Sequence, residues 1–109
     1  MEQAEKIAQL NDEFRKAAGQ GGLAYMTLGI QALPPEDQIQ IFNLVKTFND
    51  FSEDNDPYGE HDFGAFDFKG DRVFWKIDYF DKSLAYGSEN PADPEVTERV
   101  MTVMLAREY

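Results

Sequence analysis

The chain contains no cysteine. That excludes disulfides, thiolate metal sites and a cysteine nucleophile, and it fits a reducing cytoplasm. Histidine is nearly missing too, with His61 the only one. A two-histidine facial triad for Mn²⁺ or Fe²⁺ is therefore impossible. Positive charge is scarce: ten Lys and Arg stand against 21 Asp and Glu, a formal net charge of −11. Phosphate-neutralising nucleic-acid binding usually needs the opposite sign. An anionic membrane surface is disfavoured for the same reason. No apolar run approaches the roughly 20 residues needed to cross a bilayer. The first residues, MEQAEKIAQLNDEF, are polar and acidic, so no signal peptide is expected.

What is present suits one small packed domain. A length of 109 residues leaves room for one core, so a single α+β domain is expected over 1–109. The 42% hydrophobic and 14% aromatic content argues against disorder despite the charge. The charge is polarised along the chain. Residues 1–49 hold six acids and four bases, whereas residues 50–98 hold fourteen acids and four bases. Solubility explains part of this excess. Attraction to a basic partner or a cation is the sharper reading.

Residues 3–18 read as an amphipathic helix, because Ile7, Leu10 and Phe14 recur at three- and four-residue spacing. Gly19, Gly21 and Gly22 end it. Leu23 to Leu28 reads as a short strand. Pro34 and Pro35 open a second helix with Glu36 and Asp37 in its first turn. Its stripe is Ile41, Phe42, Val45 and Phe48, widened by Ile39 and Leu44. A β-hairpin follows over 62–69 and 72–80, turning at Gly70-Asp71 in type II′ geometry with Lys69 opposite Arg72. Phe66, Phe68, Val73, Trp75, Ile77 and Tyr79 then share the core face. Asp67, Lys76 and Asp78 lie on the other face beside Phe63, Phe74 and Phe80. A turn near Asp81-Lys82-Ser83 leads into a third antiparallel strand over 84–86. Asp93 as N-cap and Pro94 at N1 start a last helix, to about Glu108, striped by Val96, Val100, Val103 and Met104. The architecture expected is a three- to four-stranded antiparallel sheet packed against about three helices.

The run from Asp50 to Asp62, DFSEDNDPYGEHD, is the candidate functional segment. It holds six acids, no Lys or Arg, and the sole histidine. Three segments carry a family resemblance: LNDEFRK, the stretch FNDFSEDNDPYGEHDFGAFDF, and VFWKIDYFDKSLAYGSENPADPEVTERVMTVMLAREY. Through them the chain resembles a small bacterial family classified only as a domain of unknown function. The resemblance spans most of residues 7–109 and is most specific over NDPYGEHDFG, residues 55–64. It implies a cytoplasmic bacterial protein tied to plasmids or mobile elements. It brings no activity and no catalytic residues.

Specific chemistries fit the segment poorly. Set on an EF-hand loop with Asp54 first, Asp56 and Gly59 fit, but Tyr58 and Ala65 fall on ligand positions. No metal site and no cofactor is assigned. His61 flanked by Glu60 and Asp62, with Asp78 a further candidate, has general-base chemistry. Ser52, Ser83 and Ser88 lack a nucleophile-elbow context. GQGG over 19–22 is no phosphate loop. Phe74, two residues before Lys76, breaks an Asp…Glu-x-Lys nuclease pattern. Lys76, Asp78 and Asp67 read as an ion-pair ladder. The Asx-Pro punctuation of NDPYG and NPADP makes rigid loops, which lose less entropy on binding.

The leading reading is a non-enzymatic binding protein. It presents Asp54, Asp56, Tyr58, Glu60, His61 and Asp62 to a basic protein partner, without contacting nucleic acid or membrane itself. Tyr58 and His61 are expected to pack, and Asp54, Asp56 and Glu60 to be exposed. One form is a nucleic-acid-mimicking inhibitor of a host defence system. The alternatives are a small enzyme built on His61, or a metal- or ligand-regulated accessory factor.

Overall fold

Residues 3–109 are described by a computed structural model. Helix α1, Gln3–Lys16, leads through a glycine-rich turn into strand β1, Leu23–Met26. A short helix α2, Leu28–Gln31, precedes helix α3, Pro35–Thr47. The acidic segment then crosses to strand β2, Phe63–Phe68, and strand β3, Asp71–Phe80. After a long loop comes strand β4, Glu98–Leu105, closed by the 3₁₀ turn Ala106–Glu108.

The four strands form one sheet in the order β1-β4-β3-β2. The β2–β3 and β3–β4 pairs are antiparallel, but β1 runs parallel to β4. The sheet is therefore mixed, where an all-antiparallel one was expected. A parallel pair needs a long crossover connection, and the chain between β1 and β4 provides one. β1 lies on the far side of β4 from its sequence neighbours, so the chain passes α3 and the hairpin before β4 closes onto it.

Alternation places Val73, Trp75 and Ile77 of β3 and Met101, Val103 and Leu105 of β4 on one buried face. Phe14 of α1, Ile30 of α2, and Ile41 and Val45 of α3 complete this core. All three helices thus lie on one side of the sheet. Burying this apolar set is the main stabilising term of so small a domain.

Four local expectations are corrected. The last helix is instead strand β4 and its short turn. Val100, Thr102 and Val103 are β-branched and favour a pleated surface. The inward set Arg99, Met101, Val103 and Leu105 alternates as a strand requires. Asp93 still takes the Glu95 amide at 2.9 Å, but as a loop turn and not a helix cap. The expected strand over 84–86 shrinks to one bridge, Phe80 to Gly87. Leu84 sits at φ 63°, which an extended strand cannot hold.

The hairpin turns at Lys69-Gly70, one residue early, with Asp67 opposite Arg72. Both turn residues have positive φ, 48° and 88°, as a type I′ turn requires. The register differs by two residues from the expected one. An even slip preserves faces, so the predicted core face survives. Finally, Ile39 and Leu44 do not widen the α3 stripe. They are 63% and 42% exposed.

Candidate functional site

The acidic segment is fixed from within and from α1. Asn55 receives the Ser52 amide at 2.8 Å and donates to the Asp50 carbonyl at 2.7 Å. Asp56 turns inward, where its Oδ1 accepts the Glu60 and His61 amides at 3.1 Å each. Its own amide donates to the Ser52 carbonyl at 2.8 Å. Asp56 is therefore a buried brace, not the exposed carboxylate the sequence suggested. Tyr58 departs from expectation the other way. It is 81% exposed. Asp54 is exposed as expected, with Asp50 and Glu53 beside it.

His61 is half-buried and packs as predicted, though against partners that sequence proximity did not indicate. Its ring stacks on Phe51 at 3.9 Å with the planes 2° apart. Nδ1 lies 3.0 and 3.1 Å from the two oxygens of Asp12 on α1. Nε2 faces the buried Asp56 carboxylate at 3.7 Å. The backbone at His61 is left-handed, φ 56°, a conformation His tolerates better than most residues. The flanking Glu60 and Asp62 are not its partners. Glu60 instead accepts the Tyr79 hydroxyl at 3.0 Å. Asp78 lies on the opposite face of the sheet, paired with Lys76 at 3.1 Å. Asp67 joins Arg72 at 3.3 Å, so the expected three-residue ladder is two separate pairs.

Two polar residues of α1 hold the segment. Asn11 is fully buried. It donates to the Glu60 carbonyl at 2.9 Å and to the Tyr79 hydroxyl at 2.8 Å. It also accepts from Arg99 Nε at 2.7 Å. Arg15, equally buried, donates to the Val45 and Phe48 carbonyls at 2.8 and 2.6 Å and to Asp12 at 2.9 Å. Its guanidinium lies 4.8 Å from the Trp75 ring and 5.5 Å from Phe51. Neither residue was singled out from sequence. The available signal was their spacing: Asn11 and Arg15 fall in line with Ile7 and Phe14 on the buried face of α1.

Burial tunes the groups around this network. It pushes the Tyr79 hydroxyl well above its ordinary value and draws Arg99 below its own. Asp62 is raised, first by burial and then by repulsion from Glu60, with Asp56 and Asp78 adding to it. These are the expected responses of charged forms withdrawn from water.

The chemistry available here is limited. An open groove of about 480 Å³ passes His61 and is lined largely by Glu5, Gln9, Asp12, Glu13 and Lys16. Both His61 nitrogens face carboxylates of the fold, Nδ1 at hydrogen-bond distance from Asp12 and Nε2 farther from Asp56 at 3.7 Å. Ser83 bonds Asp81 at 2.7 Å and Ser88 bonds Thr97 at 2.7 Å, while Ser52 lies beside Asn55. Among the described residues, no three His, Asp or Glu side chains converge as metal ligands. No helix there is long and apolar enough to cross a membrane.

A family model described as "Protein of unknown function (DUF3768)" matches residues 26–108. No curated protein and no solved structure matches the chain.

Proposed function

The chain belongs to the DUF3768 family of unknown function, and from that premise we propose that it is a non-enzymatic acidic binding module for a basic protein. The observation that carries this reading is the fate of the positive charge. All four bases within residues 50–98 are spent on carboxylates of this chain. Lys69 pairs with Asp37, Arg72 with Asp67, Lys76 with Asp78, and Lys82 with Glu98. Asp50, Glu53 and Asp54 meanwhile stand exposed on a loop braced by Asn55 and Asp56. A braced loop loses little entropy when it docks. Tyr58, the loop's exposed aromatic, supplies an anchor of the kind that dominates interfaces.

The partner is a protein with a basic groove, of the sort that otherwise holds nucleic-acid phosphates. Blocking such a groove would make this chain an inhibitor of a nucleic-acid-binding host factor in a bacterial cytoplasm. The polarised charge and the absence of cysteine support that setting.

The test uses Asp50→Asn, Glu53→Gln and Asp54→Asn together. Asp56 and Glu60 are left alone because they hold the loop. The triple variant should retain the fold, associate more slowly with proteins captured from the native host, and show a weaker salt dependence. Capture with unchanged affinity would reject the acidic-loop reading. If His61→Ala abolished a measurable turnover that the triple variant kept, the protein would be an enzyme.

A further inference from the structure

We infer that the outer face of the sheet is a self-association surface, covered in solution by a second copy of this chain. Every helix lies on the inner face. A sheet with helices on one face and solvent on the other normally alternates apolar-in with polar-out. Here the outward positions break that rule: Tyr25, Phe63, Phe74, Phe80 and Val100 all point away from the helices, Tyr25 exposed and the other four half-buried. Tyr109 adds to the cluster, with ring centres 6.4 Å from Phe63 and 5.7 Å from Phe74, and Phe63 and Phe74 lie 5.2 Å apart. A contiguous aromatic surface of this kind on a soluble domain marks an interaction site.

Charge identifies the occupant. The whole chain carries −11. The charges on the outer face are nonetheless balanced: Asp67 with Arg72, Lys76 with Asp78, and Glu98 with Lys82. A basic partner is drawn to the loop and finds no net attraction here. Two copies repel each other least along this face. The pattern is also self-complementary. Lys76 and Asp78 stand two residues apart on the central strand β3, with side chains 38% and 41% exposed. A two-fold axis across β3 at the level of Ile77 places Lys76 of each copy against Asp78 of the other. That is the isologous arrangement most homodimers use. The aromatic residues then interdigitate between two sheets, as in a sandwich core.

Sedimentation equilibrium of the full chain, from micromolar to sub-millimolar, reads the mass directly. The wild type should approach twice the monomer mass. Added salt should strengthen association by screening the −11 repulsion, the opposite of its effect on basic-partner binding. Lys76→Asp and Asp78→Lys should each weaken self-association at least about tenfold, because four like charges then meet. A 1:1 mixture of the two variants should recover the doubled mass as a heterodimer. Circular dichroism checks that both stay folded, and the wild-type mass and its salt dependence stand as tests without them. A wild type that stays at monomer mass at every salt concentration overturns the inference. So does a dimer indifferent to both single swaps, or a mixture that fails to recover. The Asp50, Glu53 and Asp54 neutral variant should dimerise at least as well as wild type, so failure of the acidic-loop reading and failure of this one are distinguishable.

Discussion

Arg15 shows how much a single buried cation can hold. Its guanidinium satisfies carbonyls at the end of α3, pairs with Asp12 and lies over Trp75. Removing it strands those acceptors in a dry site. Arg15→Ala should cost about 3–5 kcal/mol in chemical denaturation, the range for breaking a buried charged contact. Arg15→Lys keeps the charge but loses the planar fork, so it should fall between the two. Trp75→Ala should cost a similar ~3–5 kcal/mol by emptying a fully buried aromatic site. A near-wild-type denaturation midpoint for either would reject the assigned role. Asp62 tests the electrostatics of the same region. Its raised value means the native state holds the proton more tightly than the unfolded chain does. Stability is then lost as pH rises from the ordinary carboxylate range through the raised value. Asp62→Asn should therefore raise the melting temperature at pH 7, and the gain should shrink as pH falls into the acid range. A destabilising Asp62→Asn at neutral pH would show that the carboxylate is held by favourable contacts.

Elements were legible in the sequence where one period dominated. α1, α3 and the hairpin followed from helical stripes, helix-opening prolines and two-residue alternation. β4 was not, because both periods fit it. Val96, Val100, Val103 and Met104 make a helical stripe, and the strand's own inward row begins with a charged Arg99. Its partners Asn11, Tyr79 and the Pro91 carbonyl, which accept that charge, make Arg99 an inward residue. The site was half legible for a related reason. The loop's bracing by Asn55 and Asp56 could be read from its Asx residues. The match of His61 to Asp12, 49 positions away, could not. Two glycines mark what the hairpin demands. A side chain at Gly64 would collide with the Trp75 indole across the pair, so Gly64→Ala should destabilise more than Gly70→Ala. Gly70 has open space but a φ of 88°, and Ala there should cost about 1–2 kcal/mol. Equal costs in thermal melts would contradict the close approach at Gly64. In the loop, Asp56→Ala should free the Glu60 and His61 amides. Amide exchange across 58–62 should accelerate while the sheet amides stay protected. Unchanged exchange would mean that the Asp56 carboxylate does not hold the turn.

At the scale of the whole molecule, two electrostatic effects oppose each other. Among the described residues, six Lys and Arg ion pairs favour the folded state and weaken in salt, but most are exposed, and exposed pairs contribute about 0–1 kcal/mol each. Against them stands the self-repulsion of −11 charges in a body 38 × 31 × 23 Å. The screening length decides the outcome. At 0.01 M salt it is about 30 Å, so each carboxylate feels nearly every other; at 0.15 M it is about 8 Å, and only neighbours matter. Repulsion summed over the molecule is thus lost first, while pairs at 3–4 Å persist. The melting temperature should rise steeply between these two salt concentrations and then flatten. Neutralising Asp50, Glu53 and Asp54 should raise it at low salt and make little difference at 0.15 M or above. The same three carboxylates would then oppose folding while serving the proposed attraction to a basic partner, a cost to stability that solubility alone would not require on one braced loop. A melting temperature that falls steadily with salt would mean that the pairs outweigh the field, and the acidic surface would lose its claim to long-range action.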